Sequence, residues 1–590
     1  MRYLLLIITL FISSCADQAR DKDGLLTPAQ NAKIKEYIVS QNEKKLLPDI
    51  KGKFGLNLRG IKLIGEDLSN VDLSGVDLSF CEISRVNFTN SDFTGTILEQ
   101  SLIQESDFSN AKLTNLIASQ SDFQASIFEK SHITNSDFSD ANFEEADFSN
   151  VVLENVNFDG TNFTRVVFNN VNISKTNFIR STLTESNFKQ AIITKSVFYG
   201  ADLRKISTNN VTISDSYFES TDLSGSDLST LVISNSDFTQ GIINDAKIVD
   251  AKLNDSIFTL TSFQSSNWAN TTITKSNFKD ANFSNSKFNQ AKIMDSIFSD
   301  ANLNAATVID TSIKNMNAND VALNKVIIRN VTITDSNFSN STVNNGNIKQ
   351  LVVINSDLRN SQFVNTELYD CKFNNVKFDT MLTKNSSFYR TKFSQSSLRQ
   401  IAFINSYLEE VIFDSSPFLN SQINKVSQKD CNFINSISVK TIILNTENVD
   451  RIKSDSTIYS IRDLQKFTDL SNMNFHELDF SGLIFKQVVF SNSILKDVNF
   501  SGTKLQSCLM DNVNFSEANL NSADLSGSNL VGSKFESSKL NDVKFDYADL
   551  TNLDFTRAFV SNISLVNTKL VGTLGLNSSI MNKPDVQENK

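Results

Sequence analysis

The chain contains very little histidine, glycine, proline and tryptophan, and each shortage argues against a kind of chemistry. Its 590 residues include two His, 18 Gly, four Pro and one Trp. Because His132 and His476 lie far apart in sequence, a Ser-His-Asp triad or a histidine-based metal site is not expected, and we predict that both side chains face solvent. The few glycines form no phosphate-binding loop of the Walker or dinucleotide type. The sequence therefore predicts no metal, no cofactor and no small-molecule substrate.

Long apolar runs are also missing. The apolar run Tyr3–Ile12 is too short to span a bilayer as a helix, which needs about 20 residues. One positive charge, on Arg2, precedes this run and Ser13-Ser14-Cys15 follows it, which is typical of a lipoprotein signal peptide over residues 1–14. Cys15 would then become the acylated N-terminus. The alternative is an uncleaved or misassigned start.

The segment Ile12-Ser13-Ser14-Cys15 resembles a bacterial lipobox. Because Ala16 and not Asp follows the cysteine, resemblance to lipoprotein sorting rules implies a lipid-anchored protein of the cell envelope, in the outer membrane. Residues 15–55 are predicted to form a tether and a capping helix. Thr27-Pro28-Ala29-Gln30 has the form of a capping box with proline at the first helical position, so we expect a helix from Pro28 to Lys45.

The rest of the sequence is dominated by phenylalanine and leucine at every fifth residue. Of the 46 phenylalanines, 41 lie on this central position, and from Phe138 to Phe168 a small or β-branched residue precedes each central position by two. Phe143, Phe148 and Leu153 illustrate the spacing, with Ala141 and Ala146 before the first two. A period of five matches neither the 3.6 of a helix nor the 2 of a strand, so it predicts a repeat architecture.

A longer period of 20 residues is superimposed on the first. The central residue is aliphatic at Ile173 and Ile193, and it is Phe five residues further on, at Phe178 and Phe198. Such a division follows if four repeats make one coil and like residues stack in adjacent coils. The following residues are predicted to lie in the core: Phe138, Phe158, Ile173, Phe178, Ile193, Trp268 and Phe298.

Several repeats match a known consensus of a small residue, Asp or Asn, Leu or Phe, and two variable positions. Ala146-Asp147-Phe148-Ser149-Asn150 and Ala523-Asp524-Leu525-Ser526-Gly527 are near-perfect copies. The chain therefore resembles the pentapeptide-repeat proteins. The resemblance implies an all-β fold, a right-handed quadrilateral parallel β-helix with about 20 residues per coil.

The phase of the repeat divides the chain. Central positions end in 3 or 8 over residues 56–443, the predicted first block, and in 5 or 0 over 470–574, the predicted second block. At 20 residues per coil these blocks would hold about 19 and about 5 coils. The interval 444–469 is predicted to be irregular with a short amphipathic helix. Residues 575–590 are predicted to form a loose C-terminal tail.

Four cysteines follow the repeat. Cys81, Cys371, Cys431 and Cys508 each precede a central hydrophobic residue by two, where the repeat has a small inward side chain. Because they are dispersed along the sequence, we predict buried free thiols and no disulfide. Cys15 alone lies outside the pattern, which supports its assignment as the lipidation site.

Charge and composition favour a binding protein over an enzyme. Asp and Glu outnumber Lys and Arg by 66 to 55, so the net charge is −11, and nucleic-acid binding, which needs a basic stripe, is not expected. The leading hypothesis is a non-enzymatic, envelope-anchored, rod-like scaffold that binds a protein or an envelope polymer. Two alternatives are an acidic DNA mimic that acts on gyrase, as the resemblance implies, and a carbohydrate-active β-helix enzyme. The sequence predicts no oligomeric state.

Overall fold

The fold is a parallel β-solenoid, as the sequence predicts. The computed structural model describes residues 24–434, 436, 438–439, 441–444, 446, 454–455 and 461–576. Equivalent positions pair in parallel at a spacing of 20 residues, as in Leu153 with Ile173. The chain forms two compact units, Met1–Thr307 and Val308–Lys590. The predicted signal peptide, Cys15 and most of the predicted tail lie outside the described residues.

Each coil has four sides of five residues, and the corners explain the period. We name the sides faces A, B, C and D after the central residues Leu63, Leu68, Leu73 and Leu78, and every twentieth residue continues a face. The central residue and the residue two before it are buried, while the other three face outward. The residue two after each central residue adopts positive φ, as Asn150 does at 61°. Asn, Asp and Gly tolerate this conformation best, which accounts for their frequency at corners.

Backbone hydrogen bonds join successive coils. The N–H of Phe158 donates to the carbonyl of Asn177 at 2.7 Å, and that of Asn157 donates to Ser136 in the previous coil at 2.9 Å. This pattern repeats on the four faces, so the backbone groups of each coil are satisfied by its two neighbours. Identical register places like side chains directly above one another.

In the first unit the strands are short and the ladder on face C is the longest. On face A the strands are Lys62–Ile64, Glu82–Ser84 and Leu102–Gln104, and on face B they are Asn267–Ala269 and Lys287–Asn289. Those on face C are Lys112–Thr114, His132–Thr134, Val152–Glu154, Asn172–Ser174, Ile192–Thr194, Thr212–Ser214, Val232–Ser234, Lys252–Asn254, Thr272–Thr274 and Lys292–Met294. On face D of this unit, adjacent coils pair through isolated β-bridges. The strand Thr307–Ile309 spans the boundary of the units.

In the second unit all four faces carry strands. On face C they are Ser312–Lys314, Thr332–Thr334, Val352–Ile354, Lys372–Asn374, Lys392–Ser394, Ile412–Asp414 and Asn432–Ile434. On face B they are Ile327–Arg329, Asn347–Lys349, Glu367–Tyr369, Ser387–Tyr389, Tyr407–Glu409 and Ser427–Lys429. On face A they are Thr342–Asn344, Gln362–Val364, Leu382–Lys384, Ala402–Ile404, Gln422–Asn424 and Ile442–Leu444. On face D they are Leu398–Arg399, Phe418–Leu419 and Ser438–Val439, which pairs with Ser454–Asp455.

The predicted irregular interval ends in a short helix. A 3-10 helix occupies Ile461–Lys466, and most of the interval before it lies outside the described residues. Buried central residues then recur every five positions from Leu470. The strands of this last part are Ile484–Lys486, Lys504–Gln506, Lys539–Asn541 and Phe559–Ser561.

Stacked aromatic rings fill much of the core. On face D of the first unit, Phe178, Phe198 and Phe218 stack with ring centroids 4.6 and 4.5 Å apart and nearly parallel planes. Near Thr208 the rings of faces A and B give way to smaller side chains, and an apolar cavity of about 30 Å³ remains. The core is therefore incompletely filled in the coils around Thr208.

Two helices precede the first coil. Helix α1 spans Pro28–Glu43 and helix α2 spans Ile50–Phe54. Thr27 and Gln30 form the predicted capping box, with the N–H of Thr27 donating to Gln30 Oε1 at 2.9 Å. The side chain of Asn31 donates to the carbonyl of Gly60 and accepts from the N–H of Lys62 at 2.9 Å. Helix α1 thus satisfies backbone groups that the first coil would leave exposed.

The part of the chain after residue 460 packs against the outer side of face A in the second unit. Ile442 and Leu444, on face A, share an apolar cluster with Leu464, Leu470 and Met473. Asn474 donates its side-chain N–H to the carbonyl of Gln400 at 2.7 Å. Side chains that point outward on face A are consequently buried here.

Candidate functional site

The site residues predicted from the sequence do not converge on one place. The predicted core residues are all buried, and they are spread along several coils of the solenoid: Phe138, Phe158, Ile173, Phe178, Ile193, Trp268 and Phe298. The predicted lipidation site, Cys15, lies outside the described residues. A candidate site must therefore be sought among the outward-facing side chains.

The four thiols of the repeat are buried and free. They are Cys81, Cys371, Cys431 and Cys508. Burial raises the pKa of Cys81 and of Cys371 to about 12, and that of Cys508 to about 11. The Sγ of Cys371 donates to the carbonyl of Tyr369 at 3.4 Å. Since the thiolate is the reactive form, these side chains act as small core residues and not as nucleophiles.

The histidines differ in their surroundings. His132 is exposed, as predicted, but the prediction for His476 is wrong: its side chain is buried because the chain beyond residue 460 packs on face A. His476 Nε2 lies 3.3 Å from Glu477 Oε1, and Lys384 Nζ of face A lies 2.5 Å from the same oxygen. Burial opposes ionisation of Glu477, but hydrogen bonds from His476 and Lys384 lower its pKa to about 2. Burial, followed by the charge of Glu477, raises the pKa of Asp497.

An aromatic strip lies on face B of the second unit. The rings of Tyr369 and Tyr389 stack with centroids 4.5 Å apart, and Tyr407 follows at 5.7 Å. Lys349 Nζ lies 5.0 Å from the centre of the Tyr369 ring. Burial and the nearby charge of Glu367 raise the pKa of Tyr369. These rings pack against one another across adjacent strands. We therefore interpret them as a ladder that stabilises face B.

A concave outer surface lies at the corner between faces C and D in the first unit. We call it the Tyr217 groove. Its volume is about 730 Å³, within the range of binding clefts, and its lining residues are Lys195, Asp215, Tyr217, Asn235, Ser236, Asp237, Asp255 and Ile257. One wall consists of corner residues of successive coils, and the other consists of the first outward residues of face D.

The floor of the Tyr217 groove is a ladder of serines. Ser216 Oγ donates to the carbonyl of Ser214 at 2.8 Å and accepts the N–H of Ser196 at 3.2 Å. Ser236 and Ser256 repeat both contacts in the next coils. Because each hydroxyl is small and turned inward, the corner is recessed between its two flanking columns. Hydrogen bonds in every coil hold this floor in place.

The corner wall is fixed by the backbone. Asp215, Asn235 and Asp255 adopt positive φ values of 51°, 47° and 47°. Their N–H groups donate to carbonyls of the following coil, as that of Asn235 does to Asn254 at 3.2 Å. Asn235 also donates its side-chain amide to Asp215 Oδ1 at 2.5 Å. The corner backbone is held by hydrogen bonds, and the side chains on it are short. The polar groups of this wall therefore have few alternative positions.

The facing wall alternates polar and apolar groups. Tyr217, Asp237 and Ile257 follow one another at successive bridges, and Tyr217 and Ile257 are 55% and 42% exposed. Asp237 Oδ1 accepts the N–H and the hydroxyl of Thr239 at 2.9 and 2.6 Å. The exposed side chains of Tyr217 and Ile257 thus flank the carboxylate of Asp237, which the hydrogen bonds from Thr239 hold in place.

The groove is electrostatically negative. Asp215, Asp237 and Asp255 each use one carboxylate oxygen in a hydrogen bond within the protein. Among the described residues none of the three forms an ion pair, and Lys195 is the one cationic lining residue. No three His, Cys, Asp or Glu side chains in the described parts of the chain lie close enough to hold a metal ion. The arrangement can bind a cationic or hydrogen-bonding group.

The groove was not predicted, although part of its signal is visible in the sequence. Serine recurs at every twentieth residue in Ser196, Ser216, Ser236 and Ser256, where other corners vary. The recess itself depends on which residues occupy the three outward positions around that corner. The five-residue period gives no information about these residues. In the described range up to residue 576, no helix is both long and apolar enough to cross a bilayer.

Three solved structures are similar to the chain at low sequence identity. QnrB1, described as a plasmid-mediated fluoroquinolone resistance protein, is 14% identical, covering 33% of this chain and 92% of its own with a TM-score of 0.19. The pentapeptide repeat protein Rfr23 from the cyanobacterium Cyanothece 51142 is 21% identical over 19% of this chain and 89% of its own, with a TM-score of 0.18. The PL6 family alginate lyase AlyGC is 8% identical over 86% of this chain and 95% of its own, with a TM-score of 0.21. No curated protein sequence matches the chain significantly.

Two family profiles match the repeats directly. The profile described as pentapeptide repeats (8 copies) matches residues 55–95, 81–117, 106–144, 119–155 and 256–300. The profile described as a pentapeptide repeat region matches residues 141–218, 466–545 and 505–574. Together the matches cover more than half of the chain and both phases of the repeat. The chain belongs to the pentapeptide-repeat proteins.

Proposed function

We propose that the chain is a non-enzymatic scaffold of the cell envelope, held to the outer membrane by a lipid on Cys15, that binds a protein or an envelope polymer through its solenoid surface. The observation that carries the binding proposal is the Tyr217 groove, an open cleft on the outer surface of the solenoid. Its walls are built from the backbone of successive coils, so its shape exists before any partner arrives. Preformed clefts of this size are typical of recognition sites.

The chemistry of the groove supports binding over catalysis. Each carboxylate is held by neighbours of its own or the adjacent coil, as Asp237 is by Thr239 and Asp215 by Asn235. The groove has no imidazole, thiol or lysine–carboxylate ion pair that could act as an activated nucleophile. Tyr217 and Ile257 instead offer exposed contact area beside fixed acceptors.

Anchoring through Cys15 is tested by labelling cells with a lipid precursor and fractionating membranes. We expect label on the wild type in the outer-membrane fraction, and its loss in Cys15→Ser. An unlabelled, cytosolic wild type would overturn the envelope proposal and favour the DNA-mimic alternative, which a gyrase supercoiling assay would then examine.

Partner binding is tested by photo-crosslinking in intact cells. A benzophenone amino acid replaces one exposed residue on each face, at Ile242 on face A, Asn209 on face B, Val232 on face C or Tyr217 on face D. We expect one discrete crosslinked species, formed with the probe at Tyr217 and absent with the other three. The binding proposal fails if no probe on any face yields a crosslinked species above the level without light.

A further inference from the structure

We propose that the Tyr217 groove binds an extended basic peptide segment of a partner protein. This inference rests on the proposed binding function and names the chemistry of the partner. The length of the groove, its three aspartates without ion pairs and the exposed groups on its facing wall support it.

The dimensions of the groove fit a short extended chain. Its lining runs over four coils, from Lys195 to Ile257. At about 4.8 Å per coil the three intervals span about 14 Å, which an extended peptide covers with four or five residues at about 3.3 Å each. The floor of paired serines runs the whole way without a step. A straight segment can therefore lie along the corner, parallel to the stacking direction of the coils.

The charge of the groove favours a cationic segment. Asp215 and Asp255 stand two coils apart on one wall, and Asp237 stands between them on the other. None of them forms an ion pair among the described residues, whereas acids on other sides of the first unit, such as Asp227 and Glu185, pair with Lys247 and Lys205. Unpaired carboxylates fixed on both sides of a cleft attract lysine or arginine side chains and exclude anionic chains.

The apolar groups suit the same ligand. Lysine and arginine carry aliphatic stems below their charges, and such stems cover apolar surface while the charged end reaches a carboxylate. Tyr217 offers both a ring for this contact and a face that attracts cations. Ile257 extends the apolar surface beyond Asp237. A neutral glycan would use the ring and the hydrogen-bond acceptors but would leave the three charges unpaired, so the basic peptide is the better match.

Lys195 places one positive charge in the lining of the groove. It lies at one end of the lining, and the three carboxylates follow it in the next coils. Its charge repels cations at that end. Removing this charge should therefore strengthen the binding of a basic peptide, whereas removing the carboxylates should weaken it. Opposite effects of two substitutions in one groove are not expected from a general loss of structure.

The test measures fluorescence anisotropy of labelled hexalysine with the full-length protein in detergent. We expect saturable binding to the wild type at about 50 mM salt, with an affinity that falls at about 500 mM salt. Labelled hexaglutamate should not bind. In Asp215→Asn/Asp237→Asn/Asp255→Asn we expect Kd to rise about tenfold or more, and in Lys195→Ala to fall about twofold. Far-UV circular dichroism of each variant checks that the solenoid remains folded.

A matched control has the same charge change outside the groove. Asp107→Asn/Asp137→Asn/Asp147→Asn replaces outward aspartates of other coils, and we expect its Kd to stay within about twofold of the wild type. Equal losses in both triple variants would overturn the inference, because binding would then follow net charge alone. Binding of cellohexaose with no binding of hexalysine would also overturn it and indicate a glycan site. If hexalysine fails to bind while the crosslink at Tyr217 persists in cells, the peptide inference is wrong and the binding function stands.

Discussion

Replacing Trp268 by alanine tests how tightly the core of the first unit is packed. The indole is fully buried and stacks on Phe288 in the next coil, with ring centroids 5.6 Å apart and planes 18° from parallel. Phe263 and Phe283 meet it edge-on at 5.0 and 5.7 Å. Its N–H donates to Ser266 Oγ at 2.7 Å. The ring therefore has aromatic neighbours on several sides and a satisfied polar group.

The expected cost follows from these contacts. Removing a buried aromatic ring from a core costs about 3–5 kcal/mol, including the cavity it leaves. The lost hydrogen bond adds little, because Ser266 Oγ also donates to the carbonyl of Phe263 at 2.6 Å and is not left without a partner. Solenoid coils contact only their neighbours and cannot close the gap by distant rearrangement, so we expect Trp268→Ala to cost about 4 kcal/mol.

Urea unfolding followed by far-UV circular dichroism measures this loss, and hydrogen exchange at Lys287–Asn289 locates it. Trp268→Phe is the matched control, since it continues the ladder with the same residue as Phe288, and we expect it to cost about 1 kcal/mol or less. A cost under about 1 kcal/mol for Trp268→Ala, or equal losses of stability in both variants, would show that the ring is not tightly packed.

Three further predictions concern acid, the core cavity and the thiols. Because Glu477 has a pKa of about 2 in the folded protein, below its ordinary value, its ion pair with Lys384 stabilises the fold above about pH 4.5. This contribution should fade as pH falls towards 2, and Lys384→Met should flatten that pH dependence of urea unfolding. Thr208→Leu should fill the cavity of about 30 Å³ and raise the free energy of unfolding by about 1 kcal/mol, while Thr208→Ser should lower it. In the native protein the buried thiols of Cys81, Cys371, Cys431 and Cys508 should not react with a thiol reagent, and urea-unfolded mature protein should yield four reactive thiols if Cys15 is lipidated, against five if it is not.

The fold was predictable because the repeat acts locally. A five-residue period with an inward pair fixes which side chains are buried, and the start of helix α1 at Pro28 follows from a capping box in the sequence. His476 was mispredicted because its burial comes from the packing of one part of the solenoid on face A, across an interval that lacks the period. The preference for Asn and Asp at corners also has a structural origin, positive φ, that the period alone does not reveal.

The Tyr217 groove could not be predicted, because it is lined mainly by outward side chains, which the repeat does not determine. In this architecture the inward residues are constrained by the repeat and the outward residues are not, so recognition must depend on departures among the outward residues. Tyr217 is such a departure, since the same column holds Asp237 in the next coil and Asn277 two coils further on. Each coil bonds only to its neighbours, so changes to outward side chains leave the ladder below them intact. Binding and stability are thereby separable here, and a loss of affinity in the groove variants can be read as a loss of recognition.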